Sequence, residues 1–182
     1  VKLDWRGRDP SRPPMHVEAA GLIYREAESK VHWLEQSRFE RKTLKMDGEG
    51  SVITLDKGVI RNVEAQKAKG TDEQPRRKLD FAAAVLKLDL DEHAEIERVL
   101  GETDSRVDVR TPTGTTTLTS QQVLLQFAPR NGESALQDAL AQGRGVLHSR
   151  PASATGTERI VHSETIYAKM RPGGRSGDLV LH

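Results

Sequence analysis

No cysteine occurs among the 182 residues, which excludes disulfides, thiolate nucleophiles and cysteine-ligated zinc together. That absence fits a cytoplasmic and a periplasmic life equally well. Aromatic residues supply 4% of the chain and apolar residues 35%, so a core must be built mainly from Leu, Ile, Val and Ala, thin material for a compact enzyme. Neither sign of charge prevails: 28 Lys and Arg stand against 27 Asp and Glu, a net charge of +1, and no bulk field points to nucleic acid or an anionic membrane. Short basic clusters at Arg6, Arg8 and Arg12, and at Arg76-Arg77-Lys78, read as solvated surface. No apolar run approaches the roughly 18 residues of a membrane-spanning helix, and no signal peptide precedes Val1. Because the chain opens without Met, it reads as a mature or excised piece, with any targeting segment or anchor upstream.

What the sequence does contain is one short phrase used five times. It appears as Gly21-Leu22-Ile23-Tyr24-Arg25, Val52-Ile53-Thr54-Leu55-Asp56, Val85-Leu86-Lys87-Leu88-Asp89, Leu124-Leu125-Gln126-Phe127 and Thr165-Ile166-Tyr167-Ala168-Lys169. Leu22, Ile53, Leu86, Leu125 and Ile166 are separated by 31, 33, 39 and 41 residues, intervals at which one supersecondary unit is reused. Residues 1–14, with three Pro and several Arg, read as an irregular or extended lead-in, and 15–182 as one repetitive domain.

Leu44, Met46, Gly48, Gly50 and Val52 alternate with polar residues, the period of a half-buried strand, and the apolar parity then slips at Ile53 and Leu55. Leu79, Phe81, Ala83 and Val85 give way to Leu86, Leu88 and Leu90 in the same manner, which predicts a bulge or bend inside each strand. The β-branched run Thr115-Thr116-Thr117-Leu118-Thr119 adds strand propensity. Breaks at Asp56-Lys57-Gly58, at 89–93, at Pro129-Arg130-Asn131-Gly132 and at Pro172-Gly173-Gly174 make each cycle a strand, a tight turn and a strand. The polar stretches 69–77 and 151–157 are expected as exposed loops. An alternative is a mixed α/β array: Val31 and Leu34, Ile96, Val99 and Leu100, and Ala135, Leu136, Ala139 and Leu140 stand at helical spacing.

No catalytic pattern emerges. Neither His148 nor His162 belongs to a His-x-His or His-Glu-x-x-His arrangement, and Gly143-Arg144-Gly145 lacks the Lys-Ser/Thr of a phosphate-cradling loop. The carboxylates Asp89, Asp91, Glu92, Asp104 and Asp108 read as solvated turns, and Ser51 has no nucleophile-elbow context. We expect no enzyme, no catalytic residue, no metal and no cofactor. The candidate site is an apolar stripe, Leu22, Ile53, Leu86, Leu88, Leu125, Phe127 and Ile166, which stacking would align into a trough or into an ordinary sealed core.

The cycle Leu86-Lys87-Leu88-Asp89-Leu90-Asp91, Ile96-Glu97-Arg98-Val99 with Gly101, Val107-Asp108-Val109 and Thr115-Thr116-Thr117 resembles the repeat of the OstA-like family. These are the periplasmic lipopolysaccharide-transport proteins of the LptA and LptC type and the N-terminal domain of LptD. The cycles from Val123 to Val146 and from Glu164 to Arg175 are similar, and the resemblance spans 15–182. It implies an all-β, open, taco-like β-jellyroll of antiparallel strands whose trough shields the acyl chains of lipopolysaccharide or a related glycolipid. It also implies head-to-tail joining of such domains by their edge strands, a periplasmic location, and a bridge from inner to outer membrane. Arg38, Arg41, Lys45 and Arg110 are basic candidates for meeting lipid phosphates. A self-assembling structural module without lipid is the second reading. Whether the chain corresponds to the soluble LptA type or the anchored LptC type, the sequence leaves open.

Overall fold

The computed structural model describes residues 1–5, 14–93, 95–130, 133–170 and 179–181. They form eleven strands in a single antiparallel sheet in which every strand pairs with its chain neighbours. The strands are β1 (Lys2–Trp5), β2 (Met15–Arg25), β3 (Lys30–Arg41), β4 (Leu44–Asp56), β5 (Val59–Gln74), β6 (Arg77–Leu90), β7 (Ile96–Thr111), β8 (Gly114–Arg130), β9 (Glu133–Pro151), β10 (Arg159–Met170) and β11 (Leu179–Leu181). A single 3₁₀ turn, Glu26–Glu28, joins β2 to β3. The five phrases fall on β2, β4, β6, β8 and β10, so the sequence repeat is a pair of strands.

Several strands are far longer than the usual five or six residues, and a twisted sheet of that length buries one face only by folding over. The fold line is a row of residues opposite one another from strand to strand, polar except for Val85: Gln36, Glu49, Gln66, Val85, Glu102, Gln122 and Gln142. Register shifts flank this row at His32/Gln36, Glu49/Val52, Ala82/Val85, Glu102/Ser105 and Thr119/Gln122. Left-handed backbone lies beside it at Glu35, Gly50, Lys67, Thr103, Asp104 and Arg144. Each bulge inserts a residue, turns the strand and exchanges its inward and outward faces. Burial follows: β4 turns Leu44, Met46 and Gly48 inward before the bend and Ser51 and Ile53 after it, while β6 turns Leu79, Phe81 and Ala83 inward, then Leu86, Leu88 and Leu90.

The bulges also explain the helical spacing. Leu136 is buried three residues before Ala139 because a register shift at Gln126/Phe127 interrupts the alternation there, and a shift at Asp89/Leu90 does the same opposite Ile96. All three segments of the mixed α/β alternative are strands, and that alternative is therefore discarded. The stretch 69–77 is not a loop either. Residues through Gln74 belong to β5 and pair with β4 and β6, the Phe81 ring lies over Gly70, and Pro75 and Arg76 alone form the turn. Residues 152–158 are a connection, and Lys2–Trp5 of the lead-in pairs with β2. The turns expected at Asn131-Gly132 and Pro172-Gly174 fall on residues outside those described.

Candidate functional site

Folding along the bulged row gives two walls that face each other across one apolar interior. Wall A comprises Val17, Phe39, Met46, Gly70, Phe81, Val107, Leu118, Leu147 and Val161, each directly opposite the next on the neighbouring strand. Wall B comprises Tyr24, Val31, Ile53, Val63, Leu88, Val99, Leu125, Ala139 and Ala168 in the same relation. A second row of wall B, nearer the fold line, runs Ala65, Leu86, Gly101, Val123, Ala141 and Ile166. Residues opposite one another in an antiparallel pair share a face, so each row is an unbroken inward ridge.

All seven residues of the expected stripe lie in the wall B halves of their strands. Ile53, Leu86, Leu88, Leu125 and Ile166 are buried and Phe127 packs against the same cluster. Leu22 stands apart at 37% exposure: it lies opposite the buried Trp33 at the β2 end of the interior, with Tyr24 beside it at 53%. Wall A carries no part of the repeated phrase, and it contributes half of the interior. Pairing across a fold is what reveals it.

The inward residues of both walls form one buried cluster. A cavity of about 120 Å³ remains where the free lips of the two walls meet, lined by Met15, Leu44, Leu79 and Phe81 from one wall and Leu90, Ile96, Val99 and Phe127 from the other. By comparison, a cavity of roughly 150 Å³ accommodates a single benzene. That space alone is smaller than several acyl chains would fill.

Polar chemistry gathers at the lips and along the fold line. At the wall A lip, Asp72 accepts hydrogen bonds from Thr43 Oγ1 at 2.6 Å, Gln74 Nε2 at 3.2 Å and Arg77 Nη2 at 2.9 Å. Arg41, in the same lip and 8% exposed, donates to the His93 carbonyl at 3.1 Å and meets Glu95 at 3.3 Å on the opposite lip. At the fold line, buried serines hydrogen-bond to carbonyls beside the bulges: Ser120 Oγ reaches the Gln142 and Gly143 carbonyls at 2.6 and 3.0 Å, and Ser37 Oγ reaches the Gly48 carbonyl at 3.3 Å and lies 2.5 Å from Ser51 Oγ. Of the basic candidates, Arg41 alone reaches the interior. Arg38 is paired with Asp47, Lys45 lies near Glu40 and Arg110 is paired with Asp80, all on strand faces turned to solvent.

The outer faces are charge ladders. Burial works to raise the Asp108 carboxyl, but hydrogen bonds from Arg106 and Thr117 and the charges of Arg106 and Arg110 outweigh it and hold the group below its ordinary range. Glu158 is lowered by hydrogen bonds from Arg150 and His148. No group of three His, Asp or Glu disposed to hold a metal occurs among the described residues.

Both ends of the sheet are partly bare. Among the described residues β1 pairs with Met15 to Glu18 and leaves Gly21 to Arg25 of β2 with β3 as sole neighbour. At the other end β11 covers Ala168 to Met170 and leaves the first part of β10 paired with β9 alone.

No family model matches the sequence, and no curated protein matches it. A solved structure does share the architecture: LptH from Pseudomonas aeruginosa, described as the LptA homologous periplasmic component of the conserved lipopolysaccharide transport device, superposes with a TM-score of 0.56. The match covers 90% of this chain and 99% of that one at 11% identity, which establishes the open β-jellyroll fold.

Proposed function

We propose that this chain is a non-enzymatic periplasmic lipid-binding protein that holds the acyl chains of lipopolysaccharide or a related glycolipid between its two walls. The observation that carries the proposal is the pair of apolar rows running across the strands, one of which emerges at its end as exposed Tyr24, beside exposed Leu22. The likeness to LptH, a component of a lipopolysaccharide transport device, supports the same reading. Apolar burial stabilises a lipid by about 0.8 kcal/mol for each methylene removed from water, so such a groove can hold chains without polar contacts. The site residues of the proposal are Leu22, Ile53, Leu86, Leu88, Leu125, Phe127 and Ile166, with wall A opposite them.

End-to-end joining into a bridge between membranes is the second part of the proposal. The extra strand β1 extends wall A at one end of the sheet, and β11 extends wall B at the other. Among the described residues each end therefore has one projecting half and one bare half, a shape that two domains of this fold complete by adding strands edge to edge. Photo-crosslinkers placed at Leu88 and at Phe127 should give adducts with lipopolysaccharide, while the outward Gln126 should give none. Absence of adducts at every inward position defeats the lipid reading.

The small cavity favours one competing reading, a structural module that assembles through its edges and keeps a sealed interior. Concentration-dependent assembly together with no lipid uptake would select it.

A further inference from the structure

The interior is closed along one long side by the covalent continuity of every strand at the fold line. Along the other side the lips meet, and above the apolar residues of the two walls an ionic contact joins them. Arg41 ends β3 and Lys42 opens the turn to β4 at the tip of wall A, whereas His93 and Glu95 sit between β6 and β7 at the tip of wall B. Arg41 Nη2 donates to the His93 carbonyl at 3.1 Å and to Glu95 Oε1 at 3.3 Å, and Lys42 Nζ reaches the same Oε1 at 3.2 Å. These contacts join residues 52 to 54 positions apart, and directly beneath them lies the 120 Å³ cavity.

The wall B side of the contact is pre-organised. Asp91 Oδ1 accepts the His93 and Glu95 amides at 2.8 and 2.7 Å, and the Asp91 amide donates to the Glu95 carbonyl at 2.9 Å. This Asx-type turn fixes the segment that carries Glu95 without help from Arg41. On the wall A side, Asp72 with Thr43, Gln74 and Arg77 ties the neighbouring turns together. Each lip therefore has hydrogen bonds of its own, and among the described residues the Glu95 carboxylate and His93 carbonyl on one side meet the Arg41 guanidinium and Lys42 ammonium on the other.

An ionic seam suits a contact that must open. Burying paired charges forfeits their hydration, and much of the Coulomb gain is spent on that desolvation. On separation both partners recover water, so opening costs far less than parting an apolar seam of the same length. We propose that Arg41, Lys42 and Glu95 form a clasp across the lips that gates sideways entry of an acyl chain into the cavity between the walls. The gating role rests on the lipid-binding function proposed above; the clasp itself does not.

The absence of cysteine allows the lips to be spin-labelled in pairs. Labels at Arg76→Cys, in the turn between β5 and β6, and at Glu92→Cys, in the segment after β6, report the lip-to-lip distance in the full chain without lipid. The native clasp should give one narrow distribution, and Glu95→Gln or Arg41→Met should add a longer-distance population. An unchanged distribution in both variants overturns the clasp. If Arg41→Met fails to fold, Glu95→Gln, in the separately fixed turn, decides. In a second arm, stopped-flow uptake of cis-parinaric acid should be several-fold faster in Glu95→Gln at unchanged final amplitude, and an equal rate overturns the gate. No uptake by any form overturns the acyl-chain gate together with the lipid reading, while the distances still decide the clasp.

Discussion

The Ser120 hydroxyl is shared between the Gln142 and Gly143 carbonyls, and the residue is buried at 8% exposure. Removing the hydroxyl leaves those oxygens short of a donor in a low-dielectric site, a loss of about 1 to 2 kcal/mol. Ser120→Ala should lower stability by that amount in urea unfolding, with the cooperativity unchanged. Asp108 makes the opposite kind of contribution, set by pH. Its folded carboxyl lies below the ordinary range, so the stability it adds is fully present above the unfolded value of about 3.9 and is lost as pH falls through the lower folded value. The stability gap between the native chain and Asp108→Asn should accordingly be constant at neutral pH and close in acid, followed by thermal unfolding from pH 7 to 2. Neither role is legible in the sequence, where Asp108 is one carboxylate among many. Its partners Arg106, Arg110 and Thr117 acquire meaning only through strand register.

At the scale of elements, the strand pairs were readable and the walls were not. The repeated phrase marks even-numbered strands because every second strand presents wall B residues in the same order, Ile53, Leu86 with Leu88, then Leu125 with Phe127. The parity slips announced bent strands, and the bends lie slightly before the places the apolar pattern indicated: at Gly50 instead of after Val52, and at Ala84 and Val85 in β6. The offset arises because the inserted residue is polar or small and so leaves no apolar mark of its own. Where the slip brought buried residues three apart, as at Leu136 and Ala139, it imitated a helix. The stretch 69–77 looked like a loop because its inward positions are Gly70 and Asp72, one covered by Phe81 and the other satisfied by three donors. The bend in β4 offers a direct check. Gly50 has φ of 54° and no atom within 4 Å of where a Cβ would stand, so the cost of a side chain is purely conformational. Gly50→Val should destabilise by about 1 to 2 kcal/mol and Gly50→Asn by less, measured by chemical unfolding.

For the whole molecule, the shape follows from a single decision repeated in every long strand: to reverse its buried face halfway along. One sheet then supplies both walls, the fold line seals one side, and the other side closes through lips held by Arg41 and Glu95. That last contact was invisible in the sequence, since it joins two turns brought together only after the sheet folds over. Of the stripe, by contrast, the buried Ile53, Leu86, Leu88, Leu125 and Ile166 lie in rows that cross the strands, and such rows repeat with the strand pair, which is why the phrase marks them. The central claim is that lipid acyl chains lie between these walls, and isotope-edited NMR on methyl-labelled protein with lipopolysaccharide tests it most directly. Intermolecular NOEs from acyl protons are expected at the methyls of Leu88, Leu125 and Ile166 and of wall A residues Leu118 and Leu147, with none at the exposed Ile160. Acyl NOEs absent from all the inward methyls, or confined to Ile160 and other exposed positions, would contradict the claim.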